Sequence, residues 1–338
     1  MMRVPLAPAA VERRHITALM SGFSVETTPR VAATIRHFGE HLRQDCAVYI
    51  TLVPGSDFNE TIALAVRLRK EGFQPVPHLA ARSITSKAVL ESHLRRLSEE
   101  AGVSQALLIA GGMRHPVGEF SDTLQLLDTG LFDKYGVRRI GVAGHPEGSP
   151  DIPEEALSEA LRWKTDFAAR TGADIHIVTQ FCFEPDPIIR WDRHIRAEGS
   201  TLPIRIGIPG PASIKTLITY AKACGIGPSI RSLMGSSMNV AKLLTVSAPD
   251  RLIAALASYR ANEPACGIRG VHIYPFGGLR QSAEWAYAVA DGRYTLSRDG
   301  TRFTVDTSAE GNDTADTAFL DSGSAHQPTS AGTTKRPA

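Results

Sequence analysis

The chain reads as an α/β protein: a single (β/α)8 TIM barrel followed by a disordered C-terminal tail. Three observations predict this. Eight short apolar, β-rich runs are spread along the sequence, and longer amphipathic segments separate them. That alternation implies right-handed crossovers and a parallel sheet. The 338 residues exceed the roughly 250 that one such barrel needs, which leaves room for additions at the ends. The expected organisation is an N-terminal extension (1–20), the barrel (21–305) and the tail (306–338).

In chain order, strands are expected at 22–27, 47–52, 74–79, 106–110, 139–143, 175–179, 203–208 and 270–274, the number a closed parallel ring requires. Helices are expected between them at 31–42, 59–70, 86–100, 120–132, 153–169, 185–197 and 212–224. At least two more fall within 229–260, and another at 279–290. Several carry their own stop signals. The 59–70 segment follows Ser56-Asp57, a cap, and ends at Gly72. The 86–100 segment sets Val89, Leu90, Leu94 and Leu97 on one stripe and ends at Gly102. Residues 294–296 and 302–305, separated by Asp299-Gly300, read as a hairpin. Beyond residue 305 the sequence turns to Ser, Thr, Ala, Gly and Asp with few large apolar side chains. Such a segment cannot bury enough surface to offset its ordering.

Composition excludes several classes of function. The net charge is +2 and no basic block stands out, which argues against a nucleic-acid partner. No apolar run spans a membrane, and residues 1–14 lack the apolar core of a signal peptide. The four cysteines, Cys46, Cys182, Cys224 and Cys266, have neither C-x-x-C nor zinc spacing. They read as buried reduced thiols of a cytoplasmic protein.

A barrel exposes its working residues at the C-terminal ends of its strands. The sixth apolar run, Ile175-His-Ile-Val-Thr179, ends in Gln180. The first ends Phe23-Ser-Val-Glu-Thr-Thr-Pro29, with Glu26 on an apolar strand before a proline. A carboxylate on the barrel axis is costly to ionise, so its pKa is expected to be raised, which suits a general acid. A Glu paired with an Arg, or capping a turn, fits the same residues. The third strand carries two prolines and ends in His78, either a donor to a ligand or a satisfied core histidine. The fourth runs into Gly111-Gly112, which permit a flat ring or a phosphate to approach the backbone, or simply a tight turn. The fifth ends at His145-Pro-Glu147, the seventh at Pro209-Gly-Pro211 and the last at His272-Ile-Tyr274. No Ser-His-Asp triad, HExxH, P-loop or G-x-G-x-x-G can be assembled, and no Lys stands at a strand end to form a Schiff base.

As a set, Ser24-Val-Glu26, Pro77-His-Leu79, His145-Pro-Glu147, Thr179-Gln-Phe-Cys-Phe183, Pro209-Gly210 and His272-Ile-Tyr274 resemble, in order and spacing, the bacterial methylenetetrahydrofolate reductases, over roughly residues 20–292. The resemblance implies a barrel that holds FAD at its C-terminal face. There NADH or NADPH reduces the flavin and leaves. Methylenetetrahydrofolate then takes its place and is reduced to 5-methyltetrahydrofolate. It further implies Glu26 as the general acid that helps open the folate's five-membered ring, and Gln180 as a contact to folate and nicotinamide. Thr51, His78, Ala110, Gly111, Gly112, His145 and Lys164 fall at or near flavin-binding positions. Ile214 and Arg280 fall near folate-binding ones. A folate substrate, no nucleic acid, no membrane and a capacity to form a homo-oligomer complete the expectation.

The departures are specific. Ala110-Gly111-Gly112 stands where the family has Arg-Gly-Asp, so a carboxylate beside flavin and folate is missing. Ile214 replaces an aromatic that stacks on the substrate, and Thr27-Thr28-Pro29 replaces Phe-Phe-Pro. His145 replaces a Tyr, and Ser149 a His. Arg280 is displaced by Pro275-Phe-Gly-Gly-Leu279. These changes bear on rate, nicotinamide preference and direction. They leave two alternatives open: an enzyme that oxidises 5-methyltetrahydrofolate, and a non-catalytic barrel that binds flavin or folate.

Overall fold

The computed structural model describes residues 11–150, 152–223 and 244–305. Eight strands close into one parallel ring: β1 (Ser24–Thr27), β2 (Ala47–Ile50), β3 (Gln74–Ala80), β4 (Gln105–Ile109), β5 (Arg139–Gly144), β6 (Asp174–Phe181), β7 (Ile204–Pro209) and the last barrel strand, β10 (Ile268–Tyr274). Around the ring the order is β1-β10-β7-β6-β5-β4-β3-β2. Every adjacent pair is parallel. The expected barrel is borne out, each strand within two residues of its expected bounds. Two ribbons lie outside it: β8 (Ala212–Ser213) with β9 (Val246–Ser247), and the expected hairpin, β11 (Thr295–Leu296) with β12 (Phe303–Thr304).

The helices on the outside are α1 (Arg13–Met20), α2 (Pro29–Ala32), α3 (Phe58–Lys70), α4 (Lys87–Ala101), α5 (Thr123–Leu127), α6 (Leu131–Lys134), α7 (Glu154–Thr171), α8 (Pro185–Ala197), α9 (Ile214–Ala223), α10 (Asp250–Asn262) and α11 (Leu279–Ala290). Strand residues alternate between two environments, as a pleat demands. Val25, Val48, Ile50, Leu108, Val142, Ile177, Ile206 and Ile273 face outward and join the helices in one large apolar layer. Tyr49, Val76, Leu107 and Val178 face the axis as a separate small cluster. The same parity points Ser24 and Glu26, Gln74 and His78, Arg139, His176 and Gln180, Arg205, and His272 and Tyr274 inward. The axis is therefore apolar only at its waist and polar towards both mouths.

Two expected helices are broken. The 31–42 segment is α2 followed by a single 3₁₀ turn, Phe38–Glu40. Arg67 of α3 donates to the carbonyls of Ala32, Ile35 and Arg36, and Glu71 accepts from the Phe38 N–H. These tertiary bonds take the backbone groups that a continuous helix would have used. The 120–132 segment splits into α5 and α6. Asp122 caps α5 by accepting from the N–H groups of Leu124 and Gln125. Thr129 then bonds back to Leu126 O and accepts from Leu131 N, closing a turn between the pieces.

The stretch read as an N-terminal extension contains α1, which packs on α10, α11 and β10. The two prolines of β3 also have a physical account. Gln74 donates its N–H to Cys46 O at 3.0 Å, so the even positions of β3 bond to β2. Pro75 and Pro77 thus turn their missing donors towards β4, where pairing begins only at His78↔Leu107. Cys46, Cys182 and Cys266 are free thiols. Of the stretch 229–260, expected to hold at least two helices, α10 covers the end; its part up to residue 243, Cys224 and the tail from residue 306 lie outside the described residues. No helix among the described residues is long and apolar enough to cross a membrane.

Candidate active site

Because all eight strands run the same way, their C-terminal ends share one mouth, and Glu26, Thr51, His78, Gln180 and His272 gather there. Glu26 is the hub. Its Oε1 accepts from the Thr51 hydroxyl, and its Oε2 meets His272 Nε2 at 3.1 Å. His272 Nδ1 lies 2.9 Å from Ser24 Oγ, which fixes the ring's orientation. His78 Nε2 is 3.8 Å from Glu26 Oε2, beyond hydrogen-bond reach, and it is a buried nitrogen with no partner.

The electrostatics correct one expectation. Burial acts most strongly on Glu26 and pushes its carboxyl upward. The hydrogen bond from His272, the nearby imidazoles and the Thr51 hydroxyl together more than offset it, so the carboxyl lies below its ordinary value. Burial, only partly offset by Glu26, takes His78 down to about 4. His78 is therefore neutral at pH 7, and we assign the lowering of Glu26 to its bonded partners, His272 and Thr51. In the free protein Glu26 is a carboxylate, held by the groups that donate to it. The arginine partner that one reading expected is absent among the described residues; a histidine and a threonine bond to Glu26 instead.

Gln180 is placed by an irregularity. The β6–β7 register shifts between Val178 and Phe181. Gly207 lies directly against this bulge: a Cβ there would collide with the carbonyl oxygens of Thr179 and Gln180. The Gly207 N–H donates to the Thr179 hydroxyl oxygen at 2.8 Å, and the Cys182 N–H donates to Gly207 O at 3.0 Å. The half-buried Gln180 amide makes no hydrogen bond to another described residue. Beside it lies an aromatic cluster of Phe181, Phe183, Tyr220, Tyr274 and Phe276.

Three more of the expected residues line a cleft of about 1110 Å³ that opens from the ends of β4 and β5 and runs between α7 and α8: Ala110, His145 and Lys164. Lys164 is only 8% exposed. Burial, slightly countered by Asp122, lowers it to about 8. Burial and then Lys164 take His145 to about 4, so it is neutral. Lys164 has no carboxylate within ion-pair distance among the described residues, so this cleft holds a buried cation in want of an anion. Gly111 adopts φ +94°, and a Cβ on it would come within 3.1 Å of Ala80 Cβ, so the turn requires glycine. Gly112 differs: a Cβ there would meet Pro54 at an ordinary 3.7 Å. Packing does not exclude a carboxylate at 112.

Ile214 begins α9, half-buried, its N–H bonded to Thr245 O. Arg280 is exposed on α11 and paired with Glu284 at 3.0 Å. Neither joins the Glu26 group. His272, Ser24 and Tyr274 were not singled out as site residues by the sequence. Period-two parity was the available signal, since it aligns His272 and Tyr274 with the axis of the last strand. No group of His, Cys, Asp and Glu that could hold a metal occurs among the described residues.

The family model for methylenetetrahydrofolate reductase matches residues 23–274, from the start of β1 to the end of β10. The chain belongs to this family. Among curated proteins it is similar to methylenetetrahydrofolate reductase 1 of Schizosaccharomyces pombe, 36% identical over 107 residues. It is also similar to methylenetetrahydrofolate reductase 2 of Saccharomyces cerevisiae, 39% identical over 92 residues. Those alignments cover 31% and 26% of this chain but only 16% and 14% of the yeast proteins. Among solved structures it is similar to a Clostridium thermocellum protein that binds two copies of 5-methyl-5,6,7,8-tetrahydrofolic acid. The TM-score is 0.44 at 13% identity, over 82% of this chain and 97% of the other.

Proposed function

We propose that the protein is a flavin-dependent 5,10-methylenetetrahydrofolate reductase that uses NADH or NADPH. Family membership supports the reaction class. The observation that carries the site assignment is the buried Glu26 carboxylate, bonded to His272 and Thr51 at the mouth where the strands end. The residues suit FAD. Lys164, a buried cation with no carboxylate within ion-pair distance among the described residues, is the partner for a diphosphate. Gly111, with its positive φ, lets a ring approach the β4 backbone, and His78 and His145 are neutral donors or acceptors at the rim. Bound FAD supplies hydride transfer between the nicotinamide and the folate-bound one-carbon unit.

The chain's own part is binding and proton management. Gln180, its amide uncommitted, orients folate or nicotinamide. Glu26 must carry a proton to deliver it to the ring nitrogen released when the folate's five-membered ring opens. Glu26 is already buried in the free protein, so the proton it delivers must be taken up against His272 and Thr51, whose hydrogen bonds favour the anion. As the proton leaves, His272 and Thr51 donate to the carboxylate that forms, and Ser24 keeps the imidazole aligned. A group whose partners stabilise its anion gives up its proton readily once loaded.

The neutral Ala110-Gly111-Gly112 end of β4 favours a second reading, oxidation of 5-methyltetrahydrofolate by the same site. The absorbance spectrum of the purified protein tests both. The first reading expects a flavin spectrum that bleaches with NADH or NADPH and recovers with methylenetetrahydrofolate. Bleaching only by 5-methyltetrahydrofolate establishes the second. A colourless protein with no affinity for FAD overturns both and leaves a non-catalytic barrel.

A further inference from the structure

The opposite mouth of the barrel, where the strands begin, holds a second cavity, of about 360 Å³. We propose that it is a binding site for a small multivalent oxyanion, held between the guanidinium groups of Arg139 and Arg205 and the Nδ1 of His176. This site is independent of the folate reading, because Tyr49, Val76, Leu107 and Val178 close the axis between it and the Glu26 mouth.

The two cations that converge there have no close carboxylate partner among the described residues. Arg205 bonds only to carbonyls, Gly22 O at 2.8 Å and Val271 O at 3.5 Å. No carboxylate lies within ion-pair distance of it among the described residues. Arg139 Nε, buried and without a hydrogen-bond partner, faces the exposed Asp174 at 3.7 Å, the one carboxylate within ion-pair distance of Arg139 among the described residues. His176 is 2% exposed. Its Nε2 lies 3.2 Å from the Tyr49 hydroxyl. Burial pushes that phenol up to about 12, so it stays protonated and donates. The imidazole proton is thereby assigned to Nδ1, a buried atom with no partner. Burial first, then Arg139 and Arg205, drive His176 to about 3, so it contributes an N–H and not a charge.

The rest of the lining does not neutralise this. Gln105 and Gln74 bond to each other at 2.8 Å. Arg43 is committed to Asp291. Asp45, the one carboxylate in the lining, is exposed at the rim. A buried donor without an acceptor, as His176 Nδ1 is, is costly, and the two guanidiniums have between them only the distant, exposed Asp174 as a carboxylate partner among the described residues. Water could fill the donors' geometry but not their charge. One oxyanion with several oxygens satisfies all three groups. The volume admits a phosphate group or a short dicarboxylate.

Isothermal titration calorimetry of the full chain with inorganic phosphate, and separately with malonate, tests this and separates the two sources. The expected result is saturable one-to-one binding in at least one arm, weakened about tenfold or more by Arg139→Gln or Arg205→Gln. Arg205 also ties β7 to Gly22, so a variant there can fail to fold. The wild-type protein with ¹⁵N-labelled histidines provides a measurement free of that problem. The His176 Nδ1 resonance, assigned by its loss in His176→Gln, should shift with the same saturation as the heat. Absence of saturable binding to either probe overturns the proposal. So does binding that leaves both the His176 resonance and the Arg139→Gln affinity unchanged.

Discussion

Glu26 and His272 lie on adjacent strands of the ring and share a hydrogen bond, Oε2 to Nε2 at 3.1 Å, although both side chains are buried. A carboxylate left alone at that depth would be forced towards its neutral form. This one is kept charged by its neighbours. His272→Phe should therefore raise the pKa of the Glu26 carboxyl, read by carbon NMR of the carboxyl as a function of pH. An unmoved titration would remove His272 as the cause.

Glu26→Gln should retain bound flavin and lower methylenetetrahydrofolate turnover by about a hundred- to ten-thousand-fold. Because the free carboxyl lies below 4.5, its protonated fraction grows as the pH falls. Wild-type kcat/KM should then rise on acidification from neutral pH, and the variant should lose that slope. Stability moves the other way. A depressed folded-state pKa contributes stability that is complete above the unfolded value and disappears as the pH drops through the folded one. Acid melts of the variant should accordingly be shallower than those of the wild type.

Lys164→Met separates binding from folding. A lysine lowered to about 8 destabilises the folded chain wherever it must stay charged. Stability from this group rises with pH between about 8 and the unfolded value of 10.5. At pH 7 the substitution should raise the melting temperature of the flavin-free protein by a few degrees while weakening FAD binding about tenfold or more. Calorimetry and flavin fluorescence read the two effects. A fall in both would assign Lys164 a structural role.

Gly207→Ala should cost about 2 kcal/mol or more in denaturant unfolding, because the new methyl group meets the Thr179 and Gln180 carbonyls. If the protein still folds, the β6 bulge must move and Gln180 with it. KM for folate should then rise more than FAD affinity falls. Equal losses would show a general disturbance of the mouth.

Gly112→Asp should fold with little change in melting temperature, given the ordinary contact to Pro54. It should increase methylenetetrahydrofolate reduction, because a charge fixed beside a reacting centre acts on the charge that develops there. A drop in that rate, with faster bleaching by 5-methyltetrahydrofolate, would favour the oxidative direction.

The eight strands were legible because each is a short apolar run bounded by turn residues, a pattern dictated by burial on the outer face. What escaped the sequence depended on partners distant along the chain. The 31–42 periodicity looked helical, but Arg67 and Glu71 of α3 claim its backbone groups. Glu26 was recognisable as a carboxylate on an apolar strand. The direction of its pKa was not, because it is set by His272, 246 residues away. The bulge that places Gln180 left only a glycine, Gly207, as its trace.

The alternation along the strands has an evolutionary corollary. Val25, Val48, Ile50 and their outward-facing counterparts supply the cohesion of the fold. Inward positions at either mouth are largely relieved of that duty. A lineage could thus exchange inward-facing groups, as at Glu26 or His272, without renegotiating the architecture that supports them. Divergence in chemistry and persistence of shape are, in this molecule, properties of opposite sides of the same strands.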